Sequence, residues 1–113
     1  MRFDLAKLHV LQPNEVVLGI GSNDLCDISS DPETVGSTII TLIDRLPVEF
    51  SVDWVVVCQT LPRKNQPHPE YNSAVSSLNS WLKDTLSTKE HATFWRHRGL
   101  ARPSIYSMRI EFI

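Results

Sequence analysis

A chain of 113 residues is long enough for one small domain with a single core and too short for two. Its apolar fraction of 42% and charged fraction of 21% belong to a folded globular protein and exclude wholesale disorder. The net charge of -2 leaves no footprint for nucleic acid, because phosphate binding needs clustered Lys and Arg, and the nearest cluster, Arg96, His97, Arg98 and Arg102, reads as a solvated strand end.

In chain order, apolar residues at Phe3, Leu5, Leu8 and Leu11 predict the end of a short amphipathic helix, stopped by Pro13. Residues 15–21 form a continuous apolar run between turn formers, as expected of a strand buried on both faces. A polar loop over residues 23–31 follows. It leads to a helix start that has two solutions: Asp31 as cap with Pro32 in the first position, or Ser30 and Glu33 as a capping box.

Val35, Ile39, Leu42, Ile43 and Leu46 then recur at helical spacing, and Pro47 is expected to end the run. Gly36 weakens this helix slightly and permits close packing. Residues 54–61 predict a second buried strand, and residues 62–69 a loop rich in proline and polar residues. Tyr71, Ala74, Val75, Leu78, Leu82 and Leu86 mark another amphipathic helix, with Trp81 beside the stripe, before a third strand over residues 91–95.

Strands alternating with helices in the order α-β-α-β-α-β imply an α/β fold of parallel βαβ units with right-handed crossovers. Ligands of such sheets gather outside the carboxyl ends of the strands. The informative segments are therefore residues 21–30, residues 62–70 and the stretch after His97.

Cys26 and Cys58 show no C-x-x-C spacing, and no apolar leader opens Met1-Arg2-Phe3-Asp4, so a reducing, cytoplasmic setting is the default expectation. The longest apolar run, residues 54–58, falls far short of the roughly 18 residues a membrane helix needs.

One constellation can carry chemistry: Gly19-Ile20-Gly21-Ser22-Asn23-Asp24, where the first strand opens onto the ligand-binding edge. As a dinucleotide fingerprint it fails, because Asp24 stands at the third glycine position and no acidic residue ends the second strand. Two readings remain. Asn23 and Asp24 turn the chain, tolerating left-handed geometry. Alternatively, the Asn23 side-chain N–H faces the charge of a tetrahedral intermediate and stabilises it by about 3 to 4 kcal/mol, with Gly21 letting the backbone approach the substrate.

The stretch Val17-Leu18-Gly19-Ile20-Gly21-Ser22-Asn23-Asp24-Leu25 resembles the Gly-x-Asn-Asp block of SGNH (GDSL-type) hydrolases. The resemblance continues through Asp31-Pro32-Glu33-Thr34-Val35, Val55-Val56-Val57-Cys58-Gln59 with Leu61-Pro62-Arg63, Tyr71-Asn72-Ser73-Ala74-Val75 with Leu78-Asn79, and Phe94-Trp95-Arg96-His97-Arg98-Gly99. It spans residues 13–100, with residues 101–113 a divergent tail. It implies a three-layer α/β/α, flavodoxin-like sheet and an esterase or acylhydrolase ancestry with a small ester-like substrate and no cofactor. Asn23 is by this resemblance the oxyanion donor, Gly21 supplies oxyanion-loop backbone, and Ser22 and Asp24 support the loop.

The family takes its nucleophile from a Gly-Asp-Ser block and its Asp and His from an Asp-x-x-His block; neither occurs in the sequence, and Ala101-Arg102-Pro103-Ser104-Ile105-Tyr106 stands where the second is expected. The second oxyanion glycine has no assignable position either. Ser22 lacks a base that any pattern aligns with it, and His68, His91 and His97 read as surface or strand-end histidines. His68-Pro69-Glu70 matches the start of a zinc-deaminase signature without its Pro-Cys-x-x-Cys partner, so no metal site is expected.

The expectation is one partial SGNH-like domain over residues 1–113, truncated at both ends and inactive by itself. The alternative is a non-catalytic binding module or a truncated gene product. A missing nucleophile strand should expose a sheet edge that invites self-association, and the short pattern of residues 105–113 leaves open whether they cover it.

Overall fold

The computed structural model describes residues 6–96 and 107–111. Its elements are α1 (Ala6–Leu11), β1 (Glu15–Gly19), a 3-10 turn (Asp24–Cys26), α2 (Pro32–Phe50), β2 (Trp54–Cys58), α3 (Tyr71–Leu86), β3 (Ala92–Trp95) and β4 (Ser107–Glu111). The fold is α/β, and all strand pairs are parallel, in the order β3-β2-β1-β4.

α2, α3 and the three strands within residues 6–96 follow their apolar patterns, whereas in α1 Leu8 is buried and Leu11 is exposed. Val16 and Leu18 on β1, Val55 and Val57 on β2 and Ala92 on β3 join one core with the buried stripes of α2 and α3. Residues of a strand alternate between faces, so both crossover helices cover the same side of the sheet, as successive right-handed crossovers in one direction require. Leu8 of α1 belongs to that core as well. The second helical layer of a three-layer arrangement is not among the described elements.

The ends of the elements depart from the sequence expectations. Pro47 does not stop α2; the helix runs one further turn to Phe50. A proline inside a helix costs about 3 kcal/mol through its missing donor and its ring. Burying the Phe50 side chain offsets roughly 2 to 3 kcal/mol of that, and the closing bond at the end of the helix adds to it. The helix then ends at Ser51, in left-handed geometry with φ of 57°, whose N–H returns to the Leu46 carbonyl.

Of the two proposed starts for α2, the structure takes Asp31, whose carboxylate accepts from the Thr34 N–H at 3.3 Å and the Thr34 hydroxyl at 3.0 Å. β1 and β2 stop at Gly19 and Cys58, earlier than expected, because the chain leaves the ladder to build the loops described below. β4 pairs with β1 from Glu15 opposite Ser107 to Gly19 opposite Glu111. The sequence left open whether the tail covers a sheet edge; residues 107–111 pair with β1, and the outer strands among those described are β3 and β4.

Gly36 lies in the contact between α2 and α3, where a Cβ would stand 2.5 Å from Cε3 of Trp81. The half-buried Trp81 thus closes over the glycine.

Candidate functional site

The carboxyl ends of β1 and β2 are joined before they open into loops. The Thr60 hydroxyl donates to the Ile20 carbonyl at 3.3 Å, and Thr60 is the one buried polar residue among those described. Gly21 then turns the chain with φ of +107°, a conformation L side chains rarely adopt. A Cβ there would meet Leu78 Cδ2 at 3.0 Å and Thr60 Oγ1 at 3.4 Å, so glycine is required by backbone conformation and by space.

Asn23 and Asp24 lie in the turn that follows, closed by the Leu25 N–H on the Gly21 carbonyl at 3.2 Å and the Cys26 N–H on the Asn23 carbonyl at 3.3 Å, but the positive φ belongs to Gly21. Asn23 has ordinary right-handed helical angles, φ -67° and ψ -37°, and caps the 3-10 turn with no side-chain hydrogen bond. Its side chain is exposed, while Ser22 and Asp24 are half-buried. The structure thus brings Gly21, Ser22, Asn23 and Asp24 to the sheet's carboxyl edge with Asn23 facing solvent.

Sequence reasoning missed what surrounds Ser22. Its Oγ lies 2.7 Å from Nη2 of Arg63, which donates, and 2.8 Å from the hydroxyl of the fully buried Tyr71. The Arg63 guanidinium also donates to Cys26 Sγ at 3.5 Å and sits 5.0 Å from the Tyr71 ring centroid, a cation-π arrangement. The Cys26 thiol donates to the Ser22 carbonyl at 3.5 Å. A charge-assisted donor and a phenol therefore hold the serine that neighbours Asn23.

Two asparagines on α3 set the path of the loop that carries Arg63. Asn79 accepts from the Thr60 N–H at 2.9 Å and donates to the Thr60 carbonyl at 2.8 Å. Asn72 does the same for Arg63, accepting from its N–H at 2.8 Å and donating to its carbonyl at 3.0 Å. They are seven residues apart, two helical turns, so both lie on one face of α3 and read the backbone of the chain leaving β2. Gln66 adds a bond by accepting from the Asn72 N–H at 3.0 Å. The Asn72 and Asn79 spacing was the available sequence signal.

His68 is no surface histidine. It is half-buried, and its Nε2 lies 2.8 Å from the Leu25 carbonyl, tying the loop after β2 to the 3-10 turn. A carbonyl only accepts, so Nε2 carries the proton; Nδ1 is buried without a partner. The His68 ring meets Tyr71 edge-on at 6.1 Å. His91 lies at the opposite end of the sheet, its Nε2 3.6 Å from Asp44, which also pairs with Lys89 at 3.0 Å. His97 and residues 101–106 lie outside the described residues.

Nearby, Asp27 accepts from the N–H and the hydroxyl of Ser29 at 2.9 and 2.8 Å, which holds its carboxyl below the usual aspartate range. Among the described residues no group of three His, Cys, Asp or Glu could hold a metal ion, and Cys26 and Cys58 are free thiols. No described helix is long and apolar enough to cross a membrane. Compared with known proteins, the chain matches no family model, no curated protein and no solved structure.

Proposed function

We propose that the chain is an SGNH-hydrolase-type domain that keeps the oxyanion edge of that family and does not turn over esters by itself. The observation that carries the reading is Gly21: its positive φ, at the carboxyl end of an interior parallel strand, delivers Asn23 to the ligand-binding edge with its side-chain amide free of any capping bond. A small ester-like or acyl ligand is the class such an edge would take. On this reading the sheet is of flavodoxin-like type and the protein works in the cytoplasm.

Inactivity follows from the groups around the edge. The sequence holds neither a Gly-Asp-Ser nor an Asp-x-x-His block. Ser22 is bound by Arg63 and Tyr71, and the proton on His68 Nε2 goes to Leu25. Among the described residues no histidine is hydrogen-bonded to a serine hydroxyl, and an oxyanion donor without a nucleophile leaves only small residual catalysis.

The test has two arms. Turnover of a fluorogenic acetate ester should equal the buffer rate and be unchanged by Asn23→Ala; clear turnover abolished by Asn23→Ala would reveal a nucleophile and overturn the inactivity. Methylphosphonate, a tetrahedral oxyanion, should shift the Gly21 backbone and Asn23 side-chain amide resonances. A spectrum unmoved at both would remove the oxyanion assignment.

A further inference from the structure

We propose that the groove between α3 and the carboxyl ends of β2 and β3 binds a small anion carrying a planar ring, an aryl phosphate being the simplest member of the class. The groove has a volume of about 480 Å³, within the range of small-molecule sites, and includes none of residues 21–24. Gln59, directly after β2, and Arg96, directly after β3, bring it to the side of the sheet where parallel α/β folds hold ligands.

Its frame is fixed without a ligand. Gln59 donates its N–H to the Trp95 carbonyl at 2.8 Å, and Asn79, which lines the groove, clamps Thr60 through both halves of its amide. Binding therefore orders little backbone, which lowers its entropic cost.

Charge selects the ligand. Elsewhere, Arg45 is bonded to Glu49, Lys89 to Asp44, and Arg63 to Ser22 and Cys26, while Lys64 stands alone on the exposed loop after β2. Lys83 and Arg96 form no side-chain hydrogen bond or ion pair among the described residues, yet both line this groove, against one carboxylate, Asp84. Ser76 and Ser80, one turn apart on α3, add hydroxyls that can bond to anion oxygens, and the half-buried Phe94 adds an apolar ring to the wall. Two cations and two hydroxyls suit a phosphate or carboxylate head; Phe94 suits a ring.

The experiment is a titration of the 15N-labelled chain with phenyl phosphate, inorganic phosphate and phenol, read by amide shifts. Saturable shifts are expected at Gln59, Ser76, Ser80 and Lys83, with phenyl phosphate binding most tightly. Lys83→Ala and Arg96→Gln, both at exposed positions, should each weaken binding roughly tenfold, and Asp84→Asn should tighten it roughly twofold to fivefold. Shifts that do not saturate, or that survive the double variant, would overturn the site. Equal affinity for inorganic and phenyl phosphate would refute the part given to Phe94. Shifts centred on Gly21 and Asn23 would move the anion to the loop after β1 and overturn this proposal while leaving the oxyanion reading intact.

Discussion

Replacing Gly36 by alanine sets two known effects against each other. Alanine favours a helix interior over glycine by about 1 kcal/mol. The added Cβ, however, would stand 2.5 Å from Cε3, 2.7 Å from Cζ3 and 3.3 Å from Cδ2 of Trp81. The atoms struck belong to a rigid indole, which yields only by moving as a whole, and overpacking of this kind costs about 1 to 3 kcal/mol. The net expectation is a loss of about 1 kcal/mol, near 4 °C in Tm for a chain of this size. With Trp81→Ala in place the obstacle is gone, and Gly36→Ala should instead gain about 1 kcal/mol. Urea unfolding of the four-member cycle, followed by far-UV circular dichroism, should thus show a sign reversal and a coupling of about 2 kcal/mol. Stabilisation by Gly36→Ala in both backgrounds would refute the argument.

Asn79→Ala strands the N–H and carbonyl of the buried Thr60, and should cost about 2 to 4 kcal/mol in urea unfolding. Gly21→Ala meets both the φ of +107° and the contact with Leu78, and should lower stability by about 2 kcal/mol or more in a thermal melt. Asn23→Ala, by contrast, removes an exposed side chain without a capping bond and should change stability by less than about 0.5 kcal/mol, so any effect on ligand binding can be read directly. The Asp27 carboxyl, held down first by the Ser29 N–H and then by its hydroxyl, should titrate below 3.8 by NMR and move back toward that value in Ser29→Ala for the part due to the hydroxyl. A folded-state value below the unfolded one means that its contribution is complete above pH 3.8 and is lost as pH falls through the lower, folded value.

What the sequence determined by itself is the helices and strands within residues 6–96, because burial on one side of a helix or strand writes a period into the residues, whereas β4 was left in the divergent tail. The stripe from Val35 to Leu46, the apolar runs of β1 and β2, and the Asp31-Pro32 start of α2 needed no knowledge of the rest of the chain. Even the packing role of Gly36 was legible as a break in helix propensity. The end of α2 was not. Local rules make Pro47 a stop, and only the core position that receives Phe50 carries the helix past it.

The same limit governs the candidate site. The place of Gly21 and Asn23 at the carboxyl end of β1 was legible because a buried apolar run ends there in turn formers. That the positive φ falls on Gly21 follows from Leu78 and Thr60, which approach it from α3 and from the end of β2 and leave no room for a side chain. Arg63, Tyr71 and His68 gather around Ser22 and the 3-10 turn because Asn72 and Asn79 bond to the backbone of the chain leaving β2. Those bonds join residues 9 and 19 positions apart. Periodicity reports how each element meets the core, whereas side-chain bonds between loops depend on where the elements come to rest, which only the packed tertiary structure decides.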